Sequence, residues 1–233
     1  MEKNSSFFSF VIALLFAFPL AKAASYWMDA LYRKNEALLP AVPVAPKRFR
    51  LPCLVLAFLI SGKLLLFGAA AVLAEAAFPG VSLWAAFLLL ILGVFLLLVI
   101  TATDAEQQLI FDDTTRPLAA LGLVRTLLLS YFIGGYAPLL ENLSAAVLGG
   151  LSFLLLAMLT RGGIGGGDVK LIFALGLWLG PDRLIAVICA GLFLGGLAAL
   201  FLLLAGQKKR KDAFAYGPCF TLPAILFLCA GLF

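Results

Sequence analysis

The sequence predicts an all-α membrane protein, a polytopic helix bundle of about eight transmembrane helices, with seven as the lower count. Three observations lead there. Of 233 residues, 64% are hydrophobic and only 12% are charged, whereas soluble domains are about half apolar and about a quarter charged. The mean hydropathy is +1.13. Apolar runs of bilayer length recur along the chain, and no strand alternation is sustained, which argues against a β-barrel. A chain of this size has too little interior to hide so much Leu, Ala and Phe, so lipid must serve as part of its solvent.

The runs fall near 6–23, 52–74, 82–103, 117–136, 138–160, 169–181, 183–205 and 213–233. A crossing helix needs about 20 mainly apolar residues, and the sixth run is short. It is either a half-span or joined to its neighbour. The first run ends in Ala21-Lys22-Ala23 before Ala24, which is similar to a signal-peptidase site. It is nevertheless expected to stay as a span, because its leading region has only Lys3 offset by Glu2 and because the charge pattern needs an inward anchor. With eight spans and the amino terminus outside, the inner loops take Lys22, Arg33, Lys34, Lys47, Arg48, Arg50, Arg116, Arg161, Lys170 and the Lys208-Lys209-Arg210-Lys211 run. The outer side keeps only Lys3 and Arg183. Cytoplasmic loops are enriched in Lys and Arg in this way. The net charge of +5 is therefore read as contact with membrane lipid head groups and not with nucleic acid. Lys63 and Arg125 fall inside spans, where packing and snorkelling, or a carboxylate partner, must relieve the charge. The chain divides into N-terminal spans, 1–81, around a basic cytoplasmic loop, 24–51, and a chemistry-bearing membrane domain, 82–233.

There is no histidine, and the four cysteines, Cys53, Cys189, Cys219 and Cys229, form no C-x-x-C pair. They read as small hydrophobes in apolar segments, so neither a metal site nor a cofactor is expected. Carboxylates remain. Asp104 follows Ile100-Thr101-Ala102-Thr103 at the end of the third run, and Asp168 closes Gly165-Gly166-Gly167 at the start of the sixth. If the two helices pack side by side, the carboxyl groups meet at one depth. Two close carboxyls share a proton, because both cannot ionise. The ionised member can take a proton from water while the protonated member hydrogen-bonds a peptide carbonyl, a reaction needing no metal, histidine or thiol. Gly165 and Gly167 let an extended peptide approach the backbone, and the helix start just beyond them offers free N–H groups. A flexible connector is the other reading of those glycines.

These residues also carry a family resemblance. Gly165-Gly166-Gly167-Asp168-Val169-Lys170-Leu171, continuing to Ala174-Leu175-Gly176-Leu177-Trp178-Leu179-Gly180, resembles the G-x-G-D-V-K-L motif and its downstream stretch in type IV prepilin peptidases. Asp104-Ala105-Glu106-Gln107-Gln108-Leu109-Ile110-Phe111-Asp112 is similar to that family's D-x-E-x-x-x-x-P-D element, with Phe111 where the family has Pro. Tyr216-Gly217-Pro218 resembles its F-G-P. The resemblance implies an intramembrane aspartyl endopeptidase of the GxGD type, with Asp104 and Asp168 catalytic and Gly165, Gly167 and Asp112 on the substrate. The partners it implies are type IV prepilins or pseudopilins, whose basic leaders are cut at the cytoplasmic face of the bacterial inner membrane. Many members carry paired C-x-x-C motifs and a zinc-bearing N-methyltransferase region in the first inner loop. Residues 24–51 hold no Cys, so leader removal without methylation is expected. The acids of segment 104–116 are a candidate attraction for a basic leader. A proton-coupled transporter and a non-catalytic secretion-system assembly factor are the alternative readings of the same features. The absence of a convincing internal repeat weighs against the transporter.

Overall fold

The computed structural model describes residues 2–39, 50–75, 83–160, 164–205 and 215–229, with the side chains of 2–16 and 63–87 excepted. Among the described residues all regular structure is helical: α1 (Glu2–Lys34), α2 (Arg50–Glu75), α3 (Leu83–Gln107), α4 (Asp112–Ile133), α5 (Ala137–Leu159), α6 (Gly166–Leu204) and α7 (Gly217–Cys229), with a 3-10 turn at Glu36–Leu38. Inside a bilayer no water satisfies backbone N–H and C=O groups, and a helix satisfies them within its own segment. Leu88–Gln107, Asp112–Ile133, Ala137–Leu159 and Gly166–Leu204 are long and apolar enough to cross a membrane, by length and composition, while Arg50–Gly62 and α7 are shorter apolar helices. The protein is a multi-pass membrane helix bundle. Among the described residues four helices meet that length and composition, and one of them, α6, contains two of the predicted runs.

The sixth and seventh predicted runs form one element broken at Gly180, where φ is 73° and ψ is −178°, a combination open essentially to glycine alone. Pro181 follows and has no N–H to give the Leu177 carbonyl. A Cβ placed on Gly149 would lie 3.2 Å from Ile172 and 2.8 Å from Leu184. Twelve residues of straight helix would separate those two by roughly 18 Å. The chain therefore folds back at Gly180, and the halves α6a (166–179) and α6b (181–204) both lie along α5. Side chains of α4 and α5 take up the freed carbonyls. Thr126 Oγ1 donates to Leu177 O at 2.9 Å and Asn142 Nδ2 donates to it at 3.2 Å. Arg125 Nη1 donates to Trp178 O at 3.0 Å. Arg125 thus has a backbone partner at the end of α6a, and its guanidinium lies 5.9 Å from the Trp178 ring centre. The Lys63 side chain lies outside the described residues, as do Lys47, Arg48, Arg161 and the 208–211 run.

Trp178 sets the vertical register. It is fully buried, its Nε1–H donates to Leu118 O at 2.8 Å, and a Cβ on Gly93 or Gly122 would stand 2.7 Å from its ring. Two glycines, on α3 and α4, thus form its socket. From Gly93 to Asp104 is about 16 Å along α3, and from Trp178 back to Asp168 is about 15 Å along α6a. The helices run in opposite directions, so both aspartates arrive at the same end of the bundle.

Part of the basic segment expected over 24–51 is helical. Helix α1 runs on to Lys34, because Ala24, Met28, Leu31 and Tyr32 are buried at the spacing of one helical face. The apolar run stops at residue 23 only because polar residues begin to fill the opposite face. Residues 40–49 lie outside the described part.

Candidate active site

Asp104 stands in the last turn of α3 and is 5% exposed. Its Oδ2 accepts the backbone N–H of Gly217, the first residue of α7, at 2.8 Å. A Cβ on Gly217 would lie 2.7 Å from that oxygen and 2.9 Å from the carboxyl carbon, so only glycine lets α7 approach this closely. One turn away, the hydroxyls of Thr101 and Thr221 are 2.7 Å apart and tie the same two helices together. Asp168 lies at the N-terminus of α6, two residues after Gly166, and is partly exposed. Its Oδ2 lies 3.2 Å from where a Cβ on Gly165 would be. Asp168 lies within electrostatic range of Asp104. The two aspartates singled out in the sequence thus lie at the same end of the bundle, Asp104 buried beside the start of α7 and Asp168 partly exposed at the start of α6a.

Gly165 and Gly166 are exposed beside Asp168. Gly167 serves a packing role, since a Cβ there would lie 2.8 Å from Ile110 Cβ. It lets α6a settle onto the turn that follows α3. That turn contains Gln108 at φ 55°, and Phe111 then opens α4 with φ −83°, ψ 141°. Such a φ is close to what proline would impose, so the loop keeps a course that the family's usual Pro also fits.

Asp112 lies at the start of α4, where Oδ1 accepts Lys170 Nζ and Oδ2 accepts Arg116 at 3.1 Å. Asp113 holds Lys34 at 2.8 Å. These acids, offered by the sequence to a basic substrate, each already face a cation of the same chain.

Glu106, two residues after Asp104, points the other way into a buried cluster. Arg50 Nε donates to Oε1 and Nη2 to Oε2, both at 2.7 Å, and Tyr32 Oη donates to Oε2 at 2.9 Å. Arg50 also reaches Asp29 at 2.7 Å. Burial and the Glu106 carboxylate hold the Tyr32 hydroxyl well above its usual range. Charge counting had placed Arg50 among lipid-facing cations. It is 6% exposed instead, because a planar guanidinium finds a bidentate carboxylate here. Sequence reasoning also passed over the Gly217 amide. The Tyr216-Gly217-Pro218 motif was its only signal.

Residues 91–200 match the model of the type IV leader peptidase family. The match covers a little under half of the chain. The chain is similar to prepilin leader peptidase/N-methyltransferases of Neisseria gonorrhoeae (38% identical, over 60% of this chain and 48% of the relative) and of Aeromonas salmonicida (32%, over 66% and 51%). The protein of the same description from Klebsiella pneumoniae is 38% identical over 46% of this chain and 45% of its own length. The chain spans about half the length of these curated relatives. No solved structure gives a significant match. Asp104 and Asp168 lie inside the leader-peptidase segment, whereas Tyr32, Arg50 and Gly217 lie outside it.

Proposed function

We propose that this chain is an aspartic endopeptidase of the bacterial inner membrane that removes the basic leader from type IV prepilins or pseudopilins at the cytoplasmic face. The convergence of Asp104 and Asp168 at one end of the bundle carries this reading. The leader-peptidase segment that contains both supports it. In the mechanism, one ionised carboxyl takes a proton from water, which attacks the scissile carbonyl, and the protonated partner hydrogen-bonds the carbonyl oxygen as charge develops there. Gly165 and Gly166 leave the backbone beside Asp168 open to an extended peptide. The cytoplasmic orientation rests on the inward bias of Lys and Arg. Asp112 is assigned to the leader's approach only after it releases Lys170 or Arg116, which makes its contribution small and salt-sensitive.

The test uses the purified full chain in detergent with a purified prepilin, reading the mature amino terminus by mass spectrometry. Asp104→Asn and Asp168→Asn should each lower cleavage by about 10³-fold or more while thermal unfolding stays near that of the wild type. Cleavage by either variant at near wild-type rate removes the aspartyl mechanism.

A further inference from the structure

Helix α3 ends on two carboxylates that face opposite ways. Asp104 meets α7 through the Gly217 amide, and Glu106, about 200° further round the helix, meets α1 and α2 through Tyr32 and Arg50. Beyond them the helix stops. Gln107 is its last residue, and Gln108 takes a positive φ of 55°. A terminal helical turn lacks the next turn's hydrogen bonds and is prone to fray. Here that turn holds a candidate catalytic carboxyl.

The Arg50 clamp is unusually complete. Each of its three side-chain nitrogens donates at 2.7 Å, two to Glu106 and one to Asp29, and the guanidinium sits 5.3 Å from the centre of the Tyr32 ring. Arg50 and Glu106 are 6% and 5% exposed. Burying such a pair adds little stability, since an apolar pair of similar volume generally does as well or better. Its geometric value is different. A bidentate guanidinium–carboxylate pair fixes orientation as well as distance, and this one fixes the helix turn that presents Asp104. Arg50 begins α2 and lies 41 residues before the leader-peptidase segment begins at residue 91.

We propose that Arg50, through its paired hydrogen bonds to Glu106, is a positioning residue for Asp104, so that the N-terminal helices complete the peptidase site from behind. This rests on the peptidase reading above. Arg50 touches neither water nor substrate in the reaction. It holds the last turn of α3 against α1 and α2 while Gly217 holds it against α7, and the Asp104 carboxyl is thereby fixed from both sides.

The experiment compares the wild-type full chain in detergent with Arg50→Lys, the paired variant Arg50→Met with Glu106→Leu, and Lys34→Ala as a surface ion-pair control. The paired variant avoids a stranded buried charge, so it keeps its fold where either single change is at risk. Two quantities are read: amide hydrogen exchange over residues 104–110, and kcat and KM on a purified prepilin. In the paired variant, exchange over that stretch should quicken at least about tenfold, and kcat should fall about 10²-fold with KM within about threefold. Arg50→Lys, which keeps the charge but loses the fork, should fall between. Lys34→Ala should stay within about twofold of wild type, as expected for an exposed pair. Unchanged exchange at 104–110 in the paired variant overturns the proposal, and so does wild-type kcat in a variant whose exchange has quickened. If the wild-type chain cleaves no prepilin, the peptidase reading fails by itself, and the exchange arm still decides whether Arg50 positions the turn.

Discussion

Replacing Gly217 by alanine would set a methyl carbon 2.7 Å from Asp104 Oδ2 and 3.0 Å from its Cβ. Ordinary contacts begin near 3.4 Å, so Asp104 and α7 must separate by roughly half an ångström or more. The 2.8 Å N–H···O bond stretches or breaks with that shift. A hydrogen bond to a charged group contributes about 1.5–3 kcal/mol, or about 10- to 150-fold in rate at 1.4 kcal/mol per decade. Misplacing a reacting group by about 1 Å costs about 10²-fold. The two effects share one cause and are not summed, so kcat should fall about 10²-fold. Initial rates of leader removal, with thermal unfolding measured on the same samples, check this. A Gly217→Ala chain with normal unfolding and more than about a third of wild-type kcat would refute the placement of this amide at the reacting pair.

The fold-back at Gly180 makes its own demands. Asn142→Leu removes one of two donors to the Leu177 carbonyl and the bond to Thr126. It should cost about 1–3 kcal/mol, seen as a lower thermal midpoint in detergent, and an unchanged midpoint shows that the turn holds itself. Trp178→Ala empties a fully buried socket, should cost about 3–5 kcal/mol, and should reduce cleavage even in samples that remain folded, because Trp178 levels α3 with α6a. Cleavage at wild-type rate removes that register argument. A cytoplasm-active reporter fused after Lys211 should work, and one fused after Phe233 should behave as exported. The reverse result places both aspartates on the outer face.

How much was legible beforehand differs by element. Among the described residues each apolar run falls largely within a helix, since a long stretch without water has no other way to satisfy its backbone. The Asp104 and Asp168 pair was visible because each residue ends or begins an apolar run, which places charge at a boundary without any knowledge of packing. Helix α1 was cut short at residue 23, because its continuation to Lys34 is half polar and becomes helical through the side it buries. The relation of the sixth and seventh runs stayed open in one dimension. Gly180-Pro181 announces a break, but whether the halves continue or reverse depends on what Leu177 and Trp178 find to bond with on α4 and α5.

Charge behaves the same way. Composition and the placement of Lys and Arg between apolar runs determined that the chain is a membrane helix bundle, because burial of apolar surface and exclusion of charge from lipid act on each segment alone. Where any one cation goes was decided only by the tertiary structure. Arg50, Lys170 and Lys34 look alike in the basic loops, yet one is buried against Glu106 and the others lie at the surface with Asp112 and Asp113. Glu106 and Arg50 are 56 residues apart in the chain, and their meeting depends on how α1, α2 and α3 stack. Pairings across such distances arise when helices with locally determined faces find the one packing that leaves few buried polar groups unsatisfied. That packing, and not any local motif, sets Asp104 against the Gly217 amide.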